Sequence, residues 1–281
     1  MLIRIKLGIK RRLLKFEKFF RYINVQKILN EMSTDADFPS SAGTAWQHLE
    51  QLLIGSRTTP KLLVTASKVL GGHQSVVILP LNSKYPGNEE SFALNQILDF
   101  YGSDKGTFHE YSAAYSGILN SLGRKKLHIL EIGLGTNNTD TLSNMGAHGS
   151  PGASLRAWRD YCPDSNIVGC DIDARILFSE ENINTFVLDQ TSEESWVSLL
   201  DTIGNQKFDL IVDDGLHSPM ANLQTIIWAS RILSPRGFIV IEDIAEQSLP
   251  AWELFSTLVK EQWTIELLRA KHAHLAVIRA K

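Results

Sequence analysis

Short apolar runs alternate with longer amphipathic stretches through the second half of the chain. The apolar runs are bounded by glycine, asparagine, lysine or aspartate, which is typical of buried strands. The stretches between them repeat apolar residues at helical spacing. This pattern predicts strands at 127–132, 166–171, 185–188, 208–212 and 237–241, followed in turn by helices at 153–161, 174–181, 192–203, 220–233 and 249–261.

The alternation of strands and helices predicts an α/β fold, a Rossmann-like parallel sheet with helices on both faces. The end of the chain differs, because residues 263–269 and 274–279 form two apolar runs with only a short turn between them. We expect these runs to form a C-terminal antiparallel hairpin at one edge of the sheet. Ligands of such sheets bind beyond the carboxyl ends of the parallel strands.

The first part of the chain lacks this alternation. We therefore divide the chain into a mainly helical N-terminal extension, residues 1–97, and an α/β domain, residues 98–281. Up to the start of that domain, the pattern predicts a linker at 33–42, helices at 43–55, 61–69 and 91–100, a strand at 76–79 and a loop at 81–90.

Positive charge is concentrated at the N-terminus. Residues 1–32 carry nine Lys and Arg against two Glu, whereas the whole chain of 281 residues has a net charge of −3. Apolar residues recur there at three- and four-residue spacing, which predicts a basic amphipathic helix. Such a helix docks on its own domain or on a second subunit of a homo-oligomer, or lies on an anionic membrane surface. We favour docking, because amphipathic surface helices are common. The small net charge gives no case for binding nucleic acid.

Composition is that of an ordinary soluble protein, with 43% hydrophobic and 21% charged residues. The two cysteines, Cys162 and Cys170, match no zinc-ligand spacing and favour a reducing compartment. There is no apolar run of the length that spans a bilayer, and charges interrupt the apolar residues of the N-terminus, which argues against a secretory signal. We expect a cytoplasmic protein, with peripheral membrane contact through residues 1–32 as the open alternative.

The first strand of the α/β domain ends in the sequence Glu131-Ile-Gly133-Leu-Gly135. Glycine permits a sharp turn and the close approach of a ligand. A helix follows, and we expect Ser154 to be its N-cap. Strand, turn and helix form the opening unit of a nucleotide-type site, although the motif alone is equally consistent with a tight turn that binds nothing.

Each predicted parallel strand ends in carboxylates, and parallel strands bring these to one edge of the sheet. Like charges repel, so we expect a cation among them. The acid after the second strand suits a ribose diol. Asp214, Glu242 and Asp243 can converge on one cation, and all-oxygen ligation suits Mg²⁺, Ca²⁺ or Mn²⁺. The strand-end residues are Glu131, Asp171, Asp173, Asp189, Gln190, Asp213, Asp214, Glu242 and Asp243.

Two further features add candidate chemistry. His217 lies three residues after Asp214, where a neutral imidazole can take a proton from a hydroxyl whose pKa a bound cation lowers. The glycine-bounded loop 101–111 carries two tyrosines, an Asp-Lys pair and a histidine. Loops with this many functional side chains often line sites, although a solvated turn can have the same composition.

The motifs that carry a family resemblance are Glu131-x-Gly133-x-Gly135, the acids after the second strand, Asp189-Gln190, Asp213-Asp214-Gly215-Leu216-His217 and Ile241-Glu242-Asp243. Together they resemble those of the class I S-adenosylmethionine-dependent methyltransferases. Within that class the chain is similar to the metal-dependent sugar O-methyltransferases of macrolide biosynthesis, the macrocin and mycinamicin O-methyltransferases. The resemblance covers roughly residues 98–281.

The resemblance implies a methyltransferase domain that uses S-adenosyl-L-methionine and Mg²⁺, or another divalent cation, to methylate a hydroxyl of a sugar or glycosylated metabolite. It implies metal ligation by Asp214, Glu242 and Asp243, and a general-base role for His217. The cofactor-binding residues expected on this basis are Glu131, Gly133, Gly135, Thr136, Asp171, Asp173, Asp189, Gln190 and Asp213.

The chain departs from the family pattern after the glycine turn. The usual third glycine is replaced, and an insertion at 136–151 precedes the helix. We interpret the insertion as either a lid or an irregular surface loop. Two other function classes stay open, a nicotinamide-dependent oxidoreductase and a non-catalytic scaffold subunit that retains the fold. The late start of the helix speaks against the first, and the retention of every candidate ligand against the second.

Overall fold

The structure is a computed structural model that describes residues 60–66, 68–69 and 76–281. The chain divides into two compact units, Met1–Leu63 and Val64–Lys281. Residues 60–66 and 68–69 are helical, in agreement with the helix expected at 61–69. The predicted basic helix, the linker at 33–42 and the helix at 43–55 lie outside the described residues.

Residues 76–281 contain nine strands and seven α-helices. Strands β1 to β9 are Ile78–Pro80, His128–Ile132, Asn166–Asp171, Ser179–Glu180, Ile183–Val187, Phe208–Asp213, Leu233–Ile244, Trp263–Arg269 and His274–Ala280. Helices α1 to α7 are Leu81–Lys84, Glu89–Tyr101, Ser112–Ser121, Ala153–Tyr161, Glu193–Ile203, Pro219–Ile232 and Leu249–Val259.

The nine strands form one mixed sheet in the order β1-β8-β9-β7-β6-β2-β3-β5-β4. Its central strands β7, β6, β2, β3 and β5 are parallel, as the alternation predicted. Strand β2 is the switch point, because the chain leaves it on one side to reach β3 and returns on the other side at β6. A crevice forms beyond the carboxyl ends of the strands at such a point.

Helices cover both faces of the sheet, and a separate hydrophobic cluster lies under each layer. One cluster joins α2, α3 and α4 to the sheet through Leu94, Tyr115 and Trp158. The other joins α5, α6 and α7 through Trp196, Trp228 and Trp252. Successive residues of β2 point to opposite clusters, since Ile129 belongs to the first and Leu130 to the second. Strand β2 is therefore held from both sides, which fixes the turn that follows it.

The C-terminal hairpin is present but does not form the edge. Strand β9 inserts between β7 and β8 and is antiparallel to both. Strand β1 pairs in parallel with β8 and lies outside it. Part of the stretch that the sequence assigned to the N-terminal extension thus adds a strand to the sheet.

Three local expectations are wrong. Residues 81–90 are not all loop, because α1 begins after Pro80 and buries Leu81. Residues 174–181 form a single 3₁₀ turn and then β4, since the Thr185 hydroxyl bonds both the N–H and the C=O of Phe178 and draws this segment onto β5. Ser154 is not an N-cap, because Gly152 takes that position in a left-handed conformation.

Helix ends near the crevice follow standard capping chemistry. The Ser192 side chain accepts from the Ser195 N–H at the start of α5. The Ser218 side chain accepts from the Ala221 N–H at the start of α6, and Pro219 occupies the first turn. Each cap fixes the point at which the loop after β5 or β6 ends and the next helix begins. The side chains of these two loops are thereby held at the crevice. Among the residues described, no helix is both long and apolar enough to span a bilayer.

Candidate active site

A cavity of about 830 Å³ lies at the carboxyl ends of β2, β3 and β6. We call its two walls, together with the side chains directly behind them, the β3 side (Gly133, Asp171, Asp173 and Asp189) and the β7 side (Asp214, His217, Glu242 and Asp243). Of the thirteen site residues expected from the sequence, nine line this cavity: Gly133, Gly135, Asp171, Asp173, Asp189, Gln190, Asp214, His217 and Asp243. The side chains of Glu131, Thr136, Asp213 and Glu242 lie behind its walls.

Gly133 brings the two sides together. Its φ is +90°, and its N–H donates to the Cys170 carbonyl at 2.8 Å. A Cβ at this position would lie 2.0 Å from the carbonyl oxygen of Asp214. Only glycine fits, because both the backbone conformation and the approach of Asp214 exclude a side chain.

Asp171 holds the glycine turn from the end of β3. Its Oδ2 accepts from the Leu134 N–H and its Oδ1 from the Asp173 N–H, both at 2.8 Å. Burial raises the pKa of this carboxyl, and the two backbone N–H donors lower it in part. The loop after β2 and the loop after β3 are therefore locked to one side chain.

Asp173 organises the start of the insertion. Its Oδ2 accepts from the Thr136 hydroxyl at 2.6 Å and from the Asn138 amide at 2.8 Å. Arg175 pairs with its Oδ1 at 2.7 Å. The Arg175 hydrogen bond, aided by Thr136, holds the pKa of Asp173 well below its usual range. Thr136 thus supports the cavity through Asp173 and does not line it.

Gln190 links the two sides through a buried network. Its amide nitrogen donates to both carboxylate oxygens of Asp213 at 2.7 Å, and its carbonyl accepts from the Leu216 N–H at 3.0 Å. Asp213 is fully buried and also accepts from Asn222 at 3.1 Å. Asp213 does not line the cavity. Its carboxylate instead holds the turn at 213–216, where it also accepts from the Gly215 N–H.

Glu131 is likewise buried, with no exposed surface. Its carboxylate accepts from the Ser154 hydroxyl at 2.6 Å and from the Trp158 indole N–H. Its Oε1 lies 3.4 Å from the ammonium of Lys105. Glu131, which the sequence analysis expected to bind the cofactor, therefore faces α4 and Lys105.

On the β7 side, Asp214, His217 and Asp243 converge. Each can place one ligand atom within 4.8 Å of the others. His217 Nε2 lies 3.9 Å from Asp214 Oδ1, while His217 Nδ1 is buried without a hydrogen-bond partner. His217 and Asp243 both have a φ of +54°. Non-glycine residues held in this conformation cluster at functional sites.

Glu242 is adjacent to this trio but is otherwise engaged. It is 2% exposed. Its Oε1 accepts from the Tyr115 hydroxyl, and its Oε2 accepts from Lys105 at 3.0 Å. Burial raises the pKa of Glu242, and the charge of Lys105 opposes this shift.

The segment from Lys105 to Tyr115 supplies partners to all three proposed metal ligands. Lys105 contacts Asp214 and Glu242, and the Tyr111 hydroxyl donates to Asp243 at 2.7 Å. Burial acts to lower the pKa of Lys105, but the surrounding carboxylates outweigh burial and raise it well above its usual value. Sequence reasoning singled out loop 101–111 without assigning Lys105 or Tyr111 a partner. The Asp-Lys pair between two glycines was the available signal.

The insertion forms a wall of the cavity. Residues 141–145 line it, and the Ser143 hydroxyl donates to the Gly215 carbonyl across the rim at 2.8 Å. The Met145 N–H donates back to the Thr136 carbonyl at 2.9 Å. Of the two interpretations of the insertion, the structure favours one in which it encloses the site.

The residues of the β7 side fit a divalent cation. The carboxylate oxygens of this side suit Mg²⁺ or Mn²⁺. One imidazole, that of His217, lies beside them. The Nδ1 of His217 is buried and has no hydrogen-bond partner within the described residues, whereas Nε2 lies beside Asp214.

Four characterised proteins are similar in sequence, and all four are named as O-methyltransferases, three of them of rhamnosyl or olivosyl compounds. The 8-demethyl-8-alpha-L-rhamnosyl tetracenomycin-C 2'-O-methyltransferase of Streptomyces olivaceus is 29% identical over 54% of this chain and 38% of its own length. The L-olivosyl-oleandolide 3-O-methyltransferase of Streptomyces antibioticus is 30% identical over 58% of this chain and 40% of its own. The family resemblance of the motifs is thus confirmed. No protein-family model matches the chain.

The fold is shared with the MycE methyltransferase of the mycinamycin biosynthetic pathway, solved in complex with Mg and SAH. The TM-score is 0.53 at 22% sequence identity, over 66% of this chain and 54% of that chain. At this identity the likeness shows the Rossmann-like fold alone. The chain spans about 40% of the length of the similar O-methyltransferases.

Proposed function

We propose that this chain is an S-adenosylmethionine-dependent, divalent-metal-assisted O-methyltransferase that methylates a sugar hydroxyl of a glycosylated small molecule. The observation that carries the proposal is the single cavity of about 830 Å³ shared by the β3 side and the β7 side. Its volume suits a drug-sized cofactor together with part of an acceptor. The similarity to O-methyltransferases acting on rhamnosyl and olivosyl groups supports the acceptor class.

The β3 side binds the methyl donor in this proposal. Gly133 and Gly135 line this wall and let the turn after β2 pack closely against Asp214 and Met145. Asp171 and Asp189 also line the wall and offer carboxylate oxygens to adenosine hydroxyls. Gln190 lines the same wall. Glu131, Thr136, Asp173 and Asp213 act by holding these residues in place, because each of their carboxylates or hydroxyls is engaged within the protein.

The β7 side holds the cation and the acceptor. Asp214 and Asp243 are the proposed ligands that face the cavity, and Glu242 is the third, placed beside them at the end of β7. A divalent cation bound here supplies Lewis acidity and fixes the direction of an acceptor hydroxyl.

His217 removes the proton from that hydroxyl. Its Nδ1 is buried, so Nε2 is the ring nitrogen that takes the proton. Asp214 Oδ1 lies 3.9 Å from Nε2, so this nitrogen is next to a proposed metal ligand. Alignment of hydroxyl and methyl donor by the two walls supplies much of the rate, since a well-oriented pair reacts as an intramolecular one.

The test combines binding and turnover. Calorimetry should detect S-adenosylhomocysteine but not NADH, and S-adenosylhomocysteine should accumulate when the enzyme meets aryl α-L-rhamnosides with S-adenosylmethionine and Mg²⁺. Full turnover in the presence of EDTA would contradict the proposal that the reaction requires a divalent cation. Binding of NADH in place of S-adenosylhomocysteine would favour an oxidoreductase.

Replacing His217 separates a base from a ligand. We expect His217→Ala to lose turnover by at least about 100-fold while it keeps its affinity for S-adenosylhomocysteine and for Mn²⁺. His148→Ala, at an exposed histidine of the insertion, is the matched control and should turn over normally. A loss of Mn²⁺ affinity in His217→Ala would instead make His217 a ligand, as its place beside Asp214 and Asp243 also permits.

A further inference from the structure

Lys105 is a buried cation inside the carboxylate cluster. Its side chain is 1% exposed, and its ammonium contacts Asp214, lies 3.0 Å from Glu242 Oε2 and 3.4 Å from Glu131 Oε1. Three carboxylates from three different strand ends thus meet at one ammonium. A cation was expected among the strand-end acids, and the chain itself provides one.

The buried contacts of this ammonium are too costly to be incidental. Removing one partner of a buried ion pair leaves the other charge unpaired, which is strongly destabilising. Around Lys105, three carboxylates would lose a cationic partner at once. Glu131 would keep its hydrogen bonds from Ser154 and Trp158, and Glu242 would keep the one from Tyr115, but none of these neutral donors balances the negative charge. Glu242 and Glu131 are 2% and 0% exposed, so water cannot replace the lost partner.

The same ammonium lies next to the proposed cation site. The Lys105 ammonium contacts Oδ2 of Asp214, and the other carboxylate oxygen, Oδ1, faces His217. Like charges repel strongly in a buried setting, so the ammonium opposes a divalent cation bound by Asp214 and Glu242. Lys105 therefore has two opposite effects, since it stabilises the metal-free cluster and disfavours its loading.

We propose that Lys105 is the built-in counter-ion of the cation site, which makes the fold independent of the metal and lowers the affinity of the site for divalent cations. The inference rests on the proposed function, because it assumes that Asp214, Glu242 and Asp243 are the metal ligands. It makes Lys105 a residue that sets metal affinity and not a catalytic residue.

The test is Lys105→Met, studied by thermal unfolding and by Mn²⁺ titration followed by electron paramagnetic resonance. In EDTA the melting temperature should fall by about 10 °C, because buried carboxylates lose their partner. Mn²⁺ should bind the variant at least about tenfold more tightly than it binds the native chain, because the opposing charge is gone. Saturating Mn²⁺ should therefore raise the melting temperature of the variant more than that of the native chain.

Lys271→Met is the matched control. Lys271 tethers the same segment through the Thr107 carbonyl at 3.2 Å and Glu110 at 3.0 Å, away from the carboxylate cluster. Its loss should leave Mn²⁺ affinity within about twofold of the native value, since surface pairs contribute little. A merely structural role for Lys105 would lower the melting temperature in EDTA and leave Mn²⁺ affinity unchanged or weaker, which would overturn the inference.

A second variant covers the case in which Lys105→Met does not fold. Lys105→Met combined with Glu131→Gln removes one buried carboxylate together with the ammonium, and the same tenfold criterion applies to it. Failure of this variant to fold at any Mn²⁺ concentration also overturns the inference, because a divalent cation then cannot replace the ammonium. If the native chain binds no Mn²⁺ but a variant does, the metal in the proposed function fails and the inference stands. If neither binds, both fail.

Discussion

The β3 side and the β7 side of the cavity satisfy their carboxylates with partners from different parts of the chain. On the β3 side, Asp171 and Asp173 are held by Leu134 and Thr136, each 37 positions away, and by nearer residues. On the β7 side, Asp214, Glu242 and Asp243 are held by Lys105, Tyr115 and Tyr111, which are 109, 127 and 132 positions away.

The difference concerns charge as well as distance. The buried contacts of Asp171 are backbone N–H groups of the loops that directly follow β2 and β3. Those of the β7 side are an ammonium and two phenols, which only close packing of loop 101–111 and α3 against β7 brings into place. We infer that the β3 side forms with the sheet, whereas the β7 side depends on a separate segment. Four substitutions test this contrast.

Gly133→Ala should have the largest effect, because Gly133 joins both sides. A Cβ there would meet the Asp214 carbonyl at 2.0 Å, in addition to the strain of the positive φ. We expect a loss of about 3 kcal/mol or more in the free energy of unfolding, and loss of both S-adenosylhomocysteine and Mn²⁺ binding. Gly123→Ala is the control, with a φ of +91° but open space around its Cβ. Equal losses of unfolding free energy in the two variants would contradict the close approach of the Asp214 carbonyl to residue 133.

Asp214→Asn should separate the two sides. We expect Mn²⁺ affinity to fall by at least about 100-fold while S-adenosylhomocysteine affinity changes less than about threefold, because the backbone bond from Asp214 to Ile132 stays intact. Electron paramagnetic resonance measures the Mn²⁺ affinity, and calorimetry measures the S-adenosylhomocysteine affinity. Asp209→Asn, at the opposite end of β6, should leave both unchanged. A parallel loss of both ligands in Asp214→Asn would mean that the two sides form one unit.

Asp171→Asn is the converse test on the β3 side. The asparagine amide would point a donor at the N–H of Leu134 or of Asp173, leaving a buried donor unpaired. Stability should fall by about 1–3 kcal/mol in chemical denaturation. S-adenosylhomocysteine affinity should fall about tenfold as the glycine turn shifts, while Mn²⁺ affinity stays constant. Unaltered S-adenosylhomocysteine affinity would remove Asp171 from the proposed cofactor site.

Tyr111→Phe should have the smallest effect. It removes the hydroxyl that orients Asp243 and keeps the ring in the core. We expect Mn²⁺ affinity to fall up to about tenfold, as for other partners of metal ligands, and stability to fall by about 1 kcal/mol. Tyr101→Phe removes a hydroxyl bonded to Asp160 at the surface and should change neither. A Tyr111→Phe variant that binds Mn²⁺ normally would show that Asp243 needs no such support.

Much of the fold was predictable from local pattern. The strands at β2, β3 and β6 and the helix α4 were located within a residue or so, because their apolar periodicity is strong and their ends carry glycine or aspartate. The failures have a common cause. At residues 174–181 a hydroxyl from the neighbouring strand overrode helical periodicity, and at Ser154 a carboxylate of β2 captured the side chain that was expected to cap α4.

For the site, the sequence predicted which residues gather at the sheet edge but not what each one faces. Nine expected residues line the cavity, whereas Glu131 and Asp213 are directed into the protein. Strand position determines the edge at which a residue lies. It does not determine the partners of the side chain, which depend on α4 for Glu131 and on Gln190 for Asp213.

By itself, the sequence determined the parallel sheet, the glycine turn and the row of acids at one edge, because strand period and chain direction are local properties. The tertiary structure alone decided that Lys105 lies among those acids and that Tyr111 and Tyr115 hold Asp243 and Glu242. No periodicity links residues more than a hundred positions apart. Their meeting follows from the packing of one loop and one helix against the ends of β6 and β7, where buried carboxylates must find partners.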